Sequence, residues 1–276
     1  MKVALIQTRT PATQAAALVH VLPLVREAAA NGAQLIVTPE GVNLLQKDRA
    51  KLLGVLSTLE DDVVVAGLRE AAAELGVWIL IGSALLKREG AEKAANRSVL
   101  VSPAGAIVAT YDKLHMFDVN LPNGETARES ELYEPGDRAV TAAAGPAKLG
   151  LTICYDLRFP ALFRALASAG AEVIAVPAAF TRPTGKAHWE VLLRARAIET
   201  GSFILAPAQG GLHEDGRGTY GHSLVVAPWG EILAAFDHDE PGVLYADLDL
   251  AAAGKARAAI PALANARAFA APGAVG

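Results

Sequence analysis

The chain has a single cysteine, Cys154, in 276 residues, so it can form no internal disulfide and no zinc site built on several thiolates. That cysteine is either a buried apolar residue or a reactive thiol. Positive charge is not in excess: 25 Lys and Arg face 29 Asp and Glu, a formal charge of −4, and the basic residues are scattered. Without a basic field to attract a polyanion, nucleic acid is excluded as an expected partner. Long apolar runs are missing as well, none approaching the ~20 residues that span a bilayer. Residues 1–10, MKVALIQTRT, read as a strand and lack the long apolar region and small-residue cleavage site of a signal peptide. A cytoplasmic protein with no membrane partner is the expectation. Metal-ligand spacing is absent too. His115, His188 and His222 are available as ligands or as a base for the thiol, but nothing like HExxH surrounds them.

What is present is a well-patterned chain, 52% apolar, with alanine-rich helical segments. VALIQT (3–8), a helical segment near 13–31 closed by Asn31-Gly32, and LIVTPE (35–40) make a βαβ unit. A helix near 60–75 and the continuously apolar VWILIGSAL (77–85) make a second, with a strand buried on both faces. Residues 97–112 place Pro-Ala-Gly between apolar runs, which reads as a hairpin. After a polar loop at 118–138 the pattern repeats: KLGLTICYD (148–156) as strand, 157–170 as helix, EVIAVPAAF (172–180) as strand, helix 185–200 and strand SFILAPAQ (202–209). HSLVVAPWGEILAAF (222–236) is a second hairpin, and GVLYADLDL (242–250) is a last strand. Two halves, each βαβ followed by a hairpin, suggest an α/β protein with two stacked mixed sheets covered by helices. With no linker between the halves, one domain over 1–276 is expected, with a tail at about 251–276 that is either a short helix plus an extended arm or partly disordered.

Three polar residues stand where apolar strands end: Glu40, Lys113 and Cys154. Ligand sites collect at the carboxyl ends of strands in open α/β sheets. A neutral thiol needs a base, and a shielded carboxylate such as Glu40 can serve. A tetrahedral intermediate on an amide carbon carries a negative oxygen, which a fixed ammonium such as Lys113 stabilises, helped by backbone N–H groups at Tyr155 and its neighbours on a strand-to-helix elbow. Each residue also has an ordinary reading: Cys154 as core, Glu40 as a turn or helix-capping residue, Lys113 as a solvated charge. A thiol paired with a histidine is a second chemical reading, and a non-catalytic small-molecule-binding protein is a reading of another class.

The segments TPEGVNLLQKDR (38–49), YDKLHMFDV (111–119) and GLTICYDLRFP (150–160), in that order, resemble the three signature segments of the nitrilase superfamily of carbon–nitrogen hydrolases, a likeness that extends from Val3 to about Leu250. The resemblance implies a four-layer α-β-β-α sandwich, commonly paired into homodimers or higher homo-oligomers, and an amidase that forms a thioester and needs no metal or organic cofactor. It implies Glu40 as general base, Lys113 as stabiliser of the intermediate, Cys154 as nucleophile and Glu129 as a second glutamate orienting Lys113 and the substrate amide, with Glu125 or Glu131 as alternatives to Glu129. AHWEVLLRARAIET (187–200), PAQGGLHEDGRGTYGHS (207–223) and VAPWGEILA (226–234) are most similar to the branch that hydrolyses deaminated glutathione; ω-amidases acting on 2-oxoglutaramate, and enzymes acting on nitriles or N-carbamoyl groups, are the competing readings. A substrate carboxylate calls for a fixed cation, for which Arg158 is the candidate, with an ion pair to Asp156 or Glu129 as its alternative role. Tyr155, Phe117, Thr181 and His188 are expected around the small-molecule amide. Trp189, Arg194, Arg196 and Glu199 are expected to pack and pair on their helix. The segment KARAAIPALANARAF (255–269) departs from the family in having alanines where basic residues are often found.

Overall fold

Strand Lys2–Gln7 shows how the layers arise: Val3 and Leu5 face a second sheet, while Ala4 and Ile6 face helices. Side chains alternate across a strand, so a strand apolar on both faces must be covered on both. Leu35–Val37 and Trp78–Leu86 repeat the pattern, with Val37 and Leu80 on one side and Ile36 and Ile79 on the other. The structure is a computed structural model that describes residues 1–121, 124, 126–271 and 273.

Two six-stranded mixed sheets result. The first runs Gly242–Asp247, Lys2–Gln7, Leu35–Val37, Trp78–Leu86, Ala95–Val101, Ile107–Asp112. The second runs Ile232–Ala235, Leu224–Val226, Phe203–Ala206, Val173–Ala175, Ala147–Leu151, Val140–Ala144. Each has three parallel strands, a hairpin on one flank and one antiparallel strand on the other. Helices Gln14–Ala30 and Val63–Leu75 cover the first sheet; Pro160–Ser168 and Arg182–Thr200 cover the second. The expected four-layer α-β-β-α order is therefore present. Helix Val63–Leu75 starts at Asp62, whose carboxylate accepts the N–H groups of Val64 and Val65 at 2.9 Å, and stops at Gly76 in the left-handed region.

Several elements differ from the sequence expectation. The last strand, Gly242–Asp247, pairs with Lys2–Gln7 and so returns to the first sheet. The cysteine strand stops at Leu151 and is followed by a 3-10 turn, Cys154–Arg158, before helix Pro160–Ser168. The loop expected at 118–138 contains a small hairpin, Asp118–Asn120 with Thr126–Arg128, and a 3-10 turn, Glu129–Glu131. The glycine-rich stretch folds into another hairpin, Gly210–Leu212 with Gly218–Tyr220. Helix Arg49–Val55 and strand Val140–Ala144 were not foreseen, because seven and five residues are too few to show a period. The tail begins with helix Ala251–Ala259.

The two sheets meet at the ends that carry the candidate residues. Thr8, just past Lys2–Gln7, bridges to Gln209, just past Phe203–Ala206. Gln209 also donates to Thr10 Oγ1 at 2.7 Å and to the Glu40 carbonyl at 3.0 Å. A buried amide thus ties the end of one sheet to the Glu40 turn of the other.

Candidate active site

Glu40 is set by a turn after Leu35–Val37. Ser83 donates its backbone N–H to the Pro39 carbonyl at 3.2 Å and accepts the Gly41 N–H on its hydroxyl at 3.0 Å, so the neighbouring strand holds both sides of the glutamate. Lys113 continues strand Ile107–Asp112 in extended form, its N–H donating to the Asn96 carbonyl at 3.0 Å. Cys154 follows Ala147–Leu151 with φ at 50°, a left-handed conformation that costs a non-glycine residue energy and is held here by the N–H of Cys154 on the Pro177 carbonyl at 2.9 Å.

These turns bring the three side chains together in buried positions. Lys113 Nζ lies 3.0 Å from Glu40 Oε1 and 2.8 Å from each oxygen of Glu129. Cys154 lines the same cavity as the Glu40 carboxylate, whose Oε2 accepts the Ala179 N–H at 2.9 Å, and the two groups act on each other's ionisation. Asn96 Nδ2 donates to Glu40 Oε1 at 2.9 Å and to Glu129 Oε1 at 3.3 Å. Burial pushes the Glu40 carboxyl up, but the Lys113 ammonium, the Cys154 thiol nearby and the hydrogen bonds from Lys113 and Asn96 outweigh it and hold the group below the ordinary carboxylate range. Burial pulls Lys113 down, and Glu129 and Glu40 overcome that, placing it well above an ordinary lysine. Burial and the Glu40 charge push the Cys154 thiol well above its ordinary value against the opposing effect of Lys113. At neutral pH the site therefore holds a neutral thiol, a carboxylate and an ammonium.

Glu129 is the second glutamate at the site. Its Oε1 receives Lys113 and Asn96, and its Oε2 receives Lys113 and the Phe117 N–H at 2.6 Å. A carboxylate offers about four lone-pair directions. Protein donors fill them, which favours orienting Lys113 over holding a substrate amide. Glu131 points elsewhere, 4.0 Å from Arg49 on the exposed side. Glu125 lies outside the described residues.

The site opens into a cavity of about 610 Å³ whose lining includes Phe117, Tyr155, Arg158 and Thr181. Arg158 stacks over the rings of Tyr155 and Phe180, and among the described residues it forms no ion pair with Asp156 or Glu129. His188 does not line the cavity, contrary to expectation. It is exposed on helix Arg182–Thr200, where burying the next residue, Trp189, turns it away, and its ring nitrogen contacts Arg158 at 3.3 Å. Trp189 is buried and donates to the His222 carbonyl at 2.9 Å; Arg194 pairs with Glu190 and Arg196 with Glu199. None of the three histidines serves the thiol: His115 is bound to Asp156, and His222 contacts the Tyr220 carbonyl. Among the described residues no group of three or more His, Cys, Asp or Glu is placed to hold a metal ion.

Sequence reasoning missed four supporting residues. Asn96 and Ser98 are buried polar side chains on alternate positions of strand Ala95–Val101, on the face that carries Leu100; polar residues at inward positions were the available signal. Asp156 accepts the Tyr111 hydroxyl at 2.6 Å, the Ile153 N–H at 2.8 Å, and the His115 N–H and Nδ1 at 3.1 and 2.7 Å. It clamps the lysine segment to the cysteine turn. Gln209 is the fourth, and nothing local marks it.

Comparison with known proteins gives a consistent result. Residues 2–258 match the carbon–nitrogen hydrolase family. The chain is 45% identical over 205 residues to the deaminated glutathione amidase of Yersinia enterocolitica, covering 74% of this chain and 71% of that one. It is 43% identical over 231 residues to the human deaminated glutathione amidase, covering 82% and 70%. The crystal structure of the C. elegans NitFhit protein superposes with a TM-score of 0.89 at 30% identity over 96% of this chain, which spans 65% of that longer protein. A match running from residue 2 to residue 258, on a fold that superposes this closely, establishes that the chain belongs to the nitrilase superfamily as a carbon–nitrogen hydrolase acting on amides outside peptide chains.

Proposed function

We propose that this chain is a Cys154-dependent amidase that hydrolyses the oxoglutaramyl amide of deaminated glutathione to 2-oxoglutarate and cysteinylglycine. The observation that carries the chemistry is the contact of one ammonium, Lys113, with the Glu40 carboxylate at 3.0 Å, on the wall of the cavity that Cys154 also lines. The substrate rests on likeness to relatives named for that activity and on the placement of Arg158 in the cavity, where it meets the oxo-acid carboxylate.

The cycle follows from the protonation states. As sulfur attacks the amide carbon, the thiol proton passes to Glu40. All three Lys113 donors are engaged before attack, two on Glu129 and one on Glu40. Neutralising Glu40 frees the third to meet the oxyanion, together with the Tyr155 N–H, which has no backbone acceptor among the described residues. Protonated Glu40 then gives its proton to the departing amine, leaving a thioester. Water enters, Glu40 takes its proton, hydroxide adds to the thioester, and collapse returns the proton to sulfur and releases the acid. Glu129 keeps Lys113 aimed throughout.

The test is release of 2-oxoglutarate from deaminated glutathione, with acid-quenched intact-mass detection of the acyl group on Cys154. The Cys154→Ala variant is expected to lose at least about 10⁴-fold in kcat; turnover that survives the substitution refutes the nucleophile. Much faster hydrolysis of 2-oxoglutaramate replaces the substrate with that of an ω-amidase, and a nitrile or N-carbamoyl preference replaces it with another family activity. The protein is further proposed to act in the cytoplasm, as a single folding domain, and as a homodimer. No described helix is long and apolar enough to cross a membrane.

A further inference from the structure

Besides Lys113, four cationic side chains line the cavity, and they are not equivalent. Arg128 is engaged with the carbonyls of Val119 and Ala127 and with Asn120 Oδ1, closing its own hairpin. Arg158 belongs to the wall formed with Tyr155 and Phe180. Lys47 and Arg217 belong to neither. Lys47 follows the Glu40 turn, Arg217 lies in the turn of the hairpin Gly210–Leu212 with Gly218–Tyr220, and the two segments converge: Lys47 Nζ sits 3.4 Å from where a Cβ on Gly216 would lie.

Their charges are incompletely answered within the protein. Among the described residues Lys47 has no ion-pair partner, and Arg217 reaches Asp215 only at 3.5 Å, so the three side chains sum to one net positive charge at the cavity wall. The nearer contact of this turn is from the Arg217 backbone N–H to Asp215 Oδ1 at 2.9 Å, which shapes the turn, while the guanidinium faces Asp215 Oδ2 at the longer 3.5 Å. The cavity, about 610 Å³, is of the size that encloses drug-sized ligands; a five-carbon amide losing ammonia would leave most of it to water.

We propose that Lys47 and Arg217 form a second anion subsite that holds a carboxylate on the amine side of the scissile bond, so that the preferred substrates are amides anionic at both ends. This rests on the reading of Cys154 as an oxoglutaramyl-transferring nucleophile with Arg158 at the acyl-side carboxylate. The distal carboxylate of the cysteinylglycine portion supplies the second charge. Because the subsite touches the leaving group's far end and not the reacting atoms, it acts on substrate binding and hence on KM.

The experiment compares deaminated glutathione with its C-terminal carboxamide, which keeps the scissile bond and removes the distal charge. In the wild type the free acid is expected to show a KM about tenfold lower than the carboxamide. K47A and R217A each shrink that ratio, the double variant brings it to about one, and K47E inverts it. Equal KM for acid and carboxamide in the wild type overturns the subsite, and so does a K47A variant that raises both KM values by one factor. Hydrolysis of neither compound overturns the oxoglutaramyl reading itself, and the subsite with it. Should R217A fail to fold, K47A carries the comparison, since the exposed Lys47 side chain makes no hydrogen bond among the described residues.

Discussion

At the residue scale the decisive relation is between Cys154 and Glu40. Burial raises the thiol's pKa most and the Glu40 charge adds to it, so the carboxylate proposed to accept the thiol proton also helps to keep the thiol neutral beforehand. Glu40→Gln is therefore expected to act in opposite directions on two measurements. Amide turnover should fall by about 10³-fold or more, because no base remains to take the proton. The thiol titration, followed by alkylation rate against pH, should move down, because the Lys113 ammonium then acts on sulfur without the opposing carboxylate. An unchanged or raised thiol titration would show that Glu40 does not face the sulfur in solution. In the wild type, Glu40 is held below the ordinary value of 4.5, so it stays a base down through that pH and the acid limb of kcat/KM should fall below it.

At the element scale the site depends on how closely two strand ends approach a third. Gly82, inside strand Trp78–Leu86, lies where an added Cβ would overlap the Thr38 carbonyl and meet Pro177. Thr38 and Pro39 lead into Glu40, and the Pro177 carbonyl holds the N–H of Cys154. Gly82→Ala is thus expected to destabilise the protein by about 1–3 kcal/mol, the usual cost of overpacking, and to lower kcat by moving base and nucleophile apart. Denaturant unfolding and steady-state kinetics on the same sample check both; native stability and kcat would show that the strands yield elsewhere.

At the scale of the whole molecule, one feature points outward. Val191 and Ile198 lie seven residues apart on the outer face of helix Arg182–Thr200, exposed by 68% and 56%, and Ile198 also bounds a second cavity together with Trp229 and Ile260. An apolar surface shared by a helix, a hairpin turn and the tail suits a self-complementary contact between two copies. The proposed homodimer is expected to use this face, with Ile198→Glu and Trp229→Glu each lowering the dimer fraction in sedimentation experiments. A wild-type monomer at micromolar concentration, or dimers indifferent to both substitutions, would refute it.

The sequence by itself determined the two-halved α/β pattern, because apolar strands and alanine-rich helices carry their periods locally, and it marked Glu40, Lys113 and Cys154, because each is a polar residue at the end of an apolar run. Glu129 was legible only through family likeness. The tertiary structure alone decided that the last strand joins the first sheet, that Asn96 bridges two carboxylates, that Gln209 pins the Glu40 turn, and that His188 faces away. Those facts depend on which strand lies beside which and on which side of a helix is buried. Pairing of residues dozens to hundreds apart leaves no periodic trace in the chain, because it is set by the packing of whole faces and not by neighbours along the backbone.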